Sequence, residues 1–492
     1  MSSSVSQRPL EPATTQDKST TSGLSLYALL ALVVGSMIGG GIFSLPQNIA
    51  AAASAGPTII GWLITGAGMV CLALVYQFLA ARKPELDNGI YAYARAGFGT
   101  YMGFNSAWGY WLSALIGNVG YLVLLFSTIG KFFPLFEGGN TFPAVICASL
   151  LLWSIHFLIL KGVQTAALIN TIATFAKIVP LLVFIVICAI GFKYDLFIHD
   201  FWGEKANLGS VIEQTKNMMM VTVWVFIGIE GASVYSKRAK KRSDVGKATI
   251  IGFVFVLAIL IAVNLLSLGI MQRAEIADLP DVSTADVLAQ VVGPWGAWLI
   301  SIGVILSLLG ALLSWILLCG ETVQVPGSDG TMPKFFAHLN KHHAPANALW
   351  VTNALTQILL IASFFSENVY LAMATLAAAL ILVPYLLSAV YALLVTVRGE
   401  GYHHESKQRF RDIFISIIAT LYGIWLLIAA GPSNLLLTAI LYLPGFAVFI
   451  WARKEKGEKK LFTSAEWLIV GLLITAAIYA IVLMSNGSLS LF

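Results

Sequence analysis

Apolar residues in this chain come in runs of roughly 20, separated by short polar or charged stretches. A helix of that length spans the ~30 Å hydrocarbon core of a bilayer. Thirteen such runs are legible, at residues 25–52, 57–80, 99–132, 141–160, 165–192, 212–235, 246–271, 294–320, 347–365, 368–397, 411–431, 433–452 and 464–486. Each predicts a membrane-crossing helix. Only the turn Gly431-Pro432 separates the eleventh from the twelfth. Residues 1–24 are polar, rich in Ser and Thr, and lack an apolar core, so they predict a disordered cytoplasmic tail and no cleavable signal peptide.

Composition supports this pattern. Hydrophobic residues make up 58% of the 492 and charged residues 11%, against roughly 25% charged in soluble domains. Such a chain cannot cover itself with a polar surface. With the N-terminus placed inside and residues at span ends counted with the adjoining segment, 23 Lys and Arg fall on inner segments and five on outer ones, which leaves Lys177 deep within a span. That asymmetry orients the protein, N-terminus in the cytoplasm. The net charge of +5 therefore reflects topology, and no nucleic-acid partner is expected. The run Lys237-Arg238-Ala239-Lys240-Lys241-Arg242 reads as a topology determinant beside anionic membrane lipid. Cys71, Cys147, Cys188 and Cys319 all fall within spans without CxxC spacing, as apolar space-fillers would. His338, His342 and His343 have no thiol or helical carboxylate to complete a metal site. Neither a metal nor a cofactor is expected.

Two spans are interrupted. The first contains Gly35-Ser36-Met37-Ile38-Gly39-Gly40-Gly41-Ile42-Phe43, and the sixth contains Phe226-Ile227-Gly228-Ile229-Glu230-Gly231-Ala232-Ser233. Glycines so placed disfavour a continuous helix. Backbone freed at membrane depth must be satisfied by protein or line a cavity. Either stretch alone also fits close helix packing, since Gly35 and Gly39 make a small-xxx-small pair. Together they lie five spans apart, which points to a transporter with an inverted repeat and a midplane site. Five is odd, so the second half enters with opposite orientation. N–H groups at the start of a half-helix suit a carboxylate, and unwound carbonyls suit an ammonium. An α-amino acid carries both.

Two ionisable groups lie deep in the spans. Glu230 suggests either a protonation-linked gate or a structural acceptor for N–H groups freed at the first break. Lys177 lies about twelve residues, ~18 Å of helix, from Thr165, which is deep for a snorkelling side chain. His156 reads as a satisfied core histidine. No nucleophile with its base, paired acids or filter motif is visible, so neither an intramembrane enzyme nor a channel is indicated.

Four segments carry a family resemblance: Gly35–Pro46, Tyr91–Gly99, Trp224–Ser233 and Leu313–Pro333. They resemble the amino acid–polyamine–organocation superfamily, within it the basic amino acid/polyamine antiporters, and among those the arginine/ornithine antiporters. The resemblance implies an all-α integral membrane protein with a 5+5 inverted-repeat (LeuT-like) transporter fold. Residues 25–200 and 201–398 would form the repeats, and 399–492 additional C-terminal helices, about 12–13 in all. It implies secondary transport of a cationic amino acid by alternating access in a bacterial inner membrane, as arginine/ornithine exchange. A proton-coupled symporter and arginine/agmatine or lysine/cadaverine exchange remain alternatives. The oligomeric state stays open, a homodimer included.

The resemblance also implies roles for residues. Gly40 and Gly41 would offer backbone donors to the substrate carboxylate, and Met37 a carbonyl. Gly40 stands where arginine/agmatine exchangers often have Ser, so one hydroxyl donor is missing. A β-branched side chain at Gly40 would then block the cradle. Trp224 would pack on the substrate's aliphatic part and Ile227 would offer a carbonyl to its ammonium. Trp315 would stack on the distal cationic group, with Asn118 near the guanidinium, Ser113 and Ala114 alongside, and Tyr110 as a pocket or gate aromatic. Thr375 would supply the tenth-span polar contact. Glu230 would belong to gating, and the Lys177 ammonium would replace the sodium of sodium-coupled relatives.

Overall fold

The computed structural model describes residues 25–86, 89–162, 166–230, 240, 242–366, 368–402 and 406–490. The expected N-terminal tail, the end of the second glycine motif and most of the basic loop at 237–242 lie outside the described residues.

The described residues form helices, turns and loops with no strand. In chain order the helices are α1 (Leu26–Met37), α2 (Leu45–Ala52), α3 (Ala55–Arg82), α4 (Ile90–Phe98), α5 (Thr100–Gly130), α6 (Phe142–Leu160), α7 (Ala166–Ile190), α8 (Tyr194–Ile198) and α9 (Val211–Phe226). They continue as α10 (Arg242–Ser267), α11 (Arg273–Ala277), α12 (Ser283–Val292), α13 (Pro294–Asp329), α14 (Ala346–Ala362), α15 (Val369–Arg398), α16 (Ser406–Glu455) and α17 (Ser464–Ser485). Among the described residues nine helices are long and apolar enough to cross a membrane, and the bent pair α1 and α2 makes a tenth span. The eleventh and twelfth expected spans are two arms of α16, which turns at Gly431 (φ +71°, ψ 166°). The sixth expected span breaks within the described residues. Its helix, α9, starts on a Ser210–Glu213 capping box and stops at Phe226, where the glycine motif begins.

The packing is reciprocal. The first span, α1, packs along α10, the seventh, while α9, the sixth, packs along α3, the second. The third span, α5, packs on α15, the tenth, while α13, the eighth, packs on α7, the fifth. Exchanging the halves reproduces each contact, as a 5+5 inverted repeat requires. At the centre α5 and α13 lie against each other. α5 is almost entirely buried, whereas α17 is mostly exposed. The core therefore surrounds α5, and α17 is appended to α16.

Ion pairs tie the loops at both ends of the bundle. At the end bearing most basic residues, Lys83 Nζ meets Glu400 Oε2 at 2.5 Å. That hydrogen bond raises the lysine's pKa and lowers the glutamate's. On α4, Tyr91 and Arg95 stand one turn apart and both reach Asp329 Oδ2 at the end of α13, at 2.8 and 2.7 Å. At the opposite end Lys131 meets Asp286 on α12 at 2.6 Å.

Candidate functional site

The site lies where the two broken spans meet. After Met37 the first span unwinds, then resumes through a 3-10 turn at Gly41–Ser44 into α2, bent by 41° from α1. The Gly39 N–H turns back to the Met37 carbonyl at 3.0 Å, and the Phe43 N–H closes on the Gly40 carbonyl at 3.1 Å. The N–H groups of Gly40, Gly41 and Ile42 make no hydrogen bond among the described residues. Carbonyls on the other side of the break are taken. Lys177 Nζ donates to Gly35 O and Ile38 O, each at 2.8 Å. Its side chain is 1% exposed, so it does not snorkel. An ammonium at the C-terminal end of α1 complements the helix dipole there. It also leaves the neighbouring N–H groups in a field that favours an anion.

The second break faces the first. After α9, Ile227 is extended (φ −59°, ψ 129°) and Gly228 has φ +108°, a conformation that suits glycine. A Cβ on Gly228 would sit 2.8 Å from Ser36 O and 3.4 Å from Trp315 Cζ2. Ser36 Oγ donates to Gly228 O at 3.3 Å. The second break therefore packs against the last turn of α1, just ahead of the first.

Glu230 is 1% exposed and accepts from the hydroxyls of Tyr110 and Tyr385, both at 2.6 Å. It also accepts from the Gly228 N–H, at 3.2 Å. The structural role expected for Glu230, capping the N–H groups of the first break, is corrected: the carboxylate closes its own break and ties α5 to α15. Tyr385 gave no sequence signal beyond being a tyrosine inside a span.

Both breaks lie within a stretch of the chain that matches a known family. The profile of the family described as "Amino acid permease" matches residues 24–439. The chain belongs to the amino acid permease family. Among curated relatives the permease is 55% identical over 475 residues to an arginine/ornithine antiporter of Pseudomonas aeruginosa, covering 95% of this chain and 98% of that one. It is 44% identical to an L-lysine transport protein of Corynebacterium glutamicum (96% and 97% covered). It is 41% identical to an arginine/agmatine antiporter of Chlamydia caviae (95% and 98% covered). The permease is thus a multi-pass membrane transporter of small molecules and not an enzyme.

Around the breaks of the permease lies a ring of aromatic and polar groups. Trp224 lies beside Gly41, whose added Cβ would come within 2.9 Å of Nε1. Its Nε1 donates to Tyr370 OH at 3.0 Å, and its ring lies 5.5 Å from that of Tyr121. Trp315 is 8% exposed and faces Gly228. Met37 and Ile227 are buried at the two breaks. Asn118, 1% exposed, donates from Nδ2 to Cys319 Sγ at 3.5 Å and keeps Oδ1 without a partner. Ser113 Oγ is committed to Ala377 O at 2.8 Å. Thr375 Oγ1 bonds back to its own helix, at Leu371 O and Ala372 O. A Cβ on Gly40 would meet Leu124 and Leu308 side chains instead of an open cradle. His156 is buried and its Nδ1 accepts from Asn353 Nδ2 at 2.8 Å, against Trp350.

Sequence reasoning missed a strap formed by residues 281–284, ahead of and within α12. Val282 N–H donates to Ser44 Oγ (3.2 Å), Gln47 N–H to Ser283 Oγ (3.2 Å), Thr284 Oγ1 to Phe43 O (3.0 Å) and Gln47 Nε2 to Asp281 Oδ1 (3.3 Å). Lys131 Nζ contacts Val282 O at 3.3 Å. Val282 is fully buried at φ +65°, ψ 44°, a strained conformation for a β-branched residue. The strap grips the half-helix that follows the first break.

Proposed function

We propose that the permease exchanges cationic amino acids, arginine for ornithine, by alternating access across a bacterial inner membrane, with its N-terminus in the cytoplasm. Residues 25–200 and 201–398 act as the two repeats and 399–492 as an accessory unit. One observation carries the reading. Unpaired N–H groups at Gly40, Gly41 and Ile42 lie at one break. The other break brings together Trp315 and the Glu230 carboxylate, and the Asn118 acceptor lies on α5. The first set suits an α-carboxylate, the second a cation at the far end of the side chain. Gly40, Gly41 and Met37 cradle the amino-acid head, Ile227 supplies a carbonyl, and Trp224 and Tyr110 enclose the aliphatic part. Ser113 and Thr375 stand beside this path with their hydroxyls already engaged. Glu230 and Lys177 hold the breaks on which the rocking motion turns. The relative named for arginine and ornithine, at 55% identity, supports the choice of pair.

The test is exchange in proteoliposomes of the purified full chain, preloaded with arginine, ornithine, lysine, agmatine or cadaverine. Labelled arginine should enter fastest against internal ornithine or arginine. Faster entry against agmatine would reassign the pair. Uptake into empty vesicles driven by a pH gradient would make the protein a proton symporter.

A further inference from the structure

Trp315 and Cys319 stand one turn apart on α13, and therefore on one helix face. Cys319 is fully buried. Its sulfur is the hydrogen-bonding partner that the structure gives Asn118: Nδ2 donates to Sγ at 3.5 Å, while Oδ1, equally buried, has none. A side-chain amide presents two opposite faces, an NH2 that donates and an oxygen that accepts. Which face meets a ligand is decided by what holds the other.

We infer that Cys319 is a positioning residue for substrate selection: by taking the Asn118 NH2, it turns the amide oxygen toward the distal group of the substrate. This rests on the proposed function, since it assumes that the distal group approaches Asn118. An acceptor facing that group selects guanidinium or ammonium donors. A freely turning amide would also offer its NH2 to a neutral side chain ending in a carbonyl. The lost contact would be one hydrogen bond to a charged group, so discrimination should change about tenfold.

The experiment compares Cys319→Ala, Cys319→Val and Cys319→Ser with the wild type in full-length proteoliposomes. The readout is the ratio of half-inhibitory concentrations of citrulline, the uncharged ureido analogue of arginine, and arginine against labelled arginine exchange. Ser keeps an acceptor at this position, whereas Ala and Val lack one, and Val restores the lost volume. The expected result groups the variants by acceptor. The citrulline-to-arginine ratio stays near wild type in Cys319→Ser and falls about tenfold in Cys319→Ala and Cys319→Val. A ratio unchanged in all three overturns the inference, as does a ratio that follows side-chain volume. Failure of the wild type to exchange arginine would instead remove the proposed function, and the inference with it.

Discussion

At the scale of single residues, Lys177 decides the most. Its ammonium holds two carbonyls of the first break at 2.8 Å. A metal cation ligated there would stand within a few ångströms of a fixed positive charge. Two unit charges 4 Å apart repel by about 4 kcal/mol at an effective dielectric of ~20. That is enough to empty a site of millimolar affinity. Arginine exchange should therefore proceed at an unaltered rate when choline replaces Na⁺ in vesicle uptake. A sodium requirement in the wild type would overturn this assignment. The depth of Lys177 was legible in the sequence because span length measures depth. Its two acceptors were not, since they lie about 140 residues away. The same holds for Tyr385, whose bond to Glu230 crosses 155 residues. Local pattern carries no signal for such pairs.

At the scale of elements, the broken spans were legible because glycine acts on the backbone of its own helix. The direction in which each glycine faces was not. A methyl on Gly41 would press on Trp224 Nε1 and Val225 Cγ1, both at 2.9 Å, whereas one on Gly40 would meet leucine tips that can rotate. Gly41→Ala should weaken arginine binding about tenfold or more, and Gly40→Ala by less than about threefold. Competition binding on equally expressed variants checks this, and the reverse order would relocate the carboxylate cradle. The strap at 281–284 escaped sequence analysis because its loop shows neither apolar run nor motif. Burial raises the Asp281 carboxyl to about 6, against the opposing pull of Gln47 and Lys131. A released, hydrated aspartate titrates near 4. The strapped state therefore binds the proton more tightly and is favoured as the pH on the Asp281 side of the membrane falls from 7 to 5. Initial uptake should decline across that interval in the wild type and decline less in Asp281→Asn. Identical pH profiles for the two would separate Asp281 from gating.

At the scale of the whole molecule, thirteen spans could be read because bilayer thickness fixes helix length. The reciprocal packing of the halves follows from their opposite orientation. α17 stands outside that symmetry and is mostly exposed. A chain ending after Thr463 keeps Phe462, which packs on Tyr101 and Phe449. It should insert and exchange arginine within about twofold of the full chain, since α17 packs mainly on α16. Loss of exchange in a well-inserted truncation would assign α17 a role in transport.

Lys177 has a further consequence for energetics. A carrier that borrows a cation from the medium can draw on that ion's gradient to concentrate its cargo. In this protein the cation at the break is covalently part of the chain and never crosses the membrane. One-for-one exchange of two singly charged amino acids also moves no net charge. For an exchange of that stoichiometry, uncoupled to protons, the arginine ratio across the membrane cannot rise above the ornithine ratio. Direction and reach of such an exchange are set by how fast the cell consumes one amino acid and forms the other.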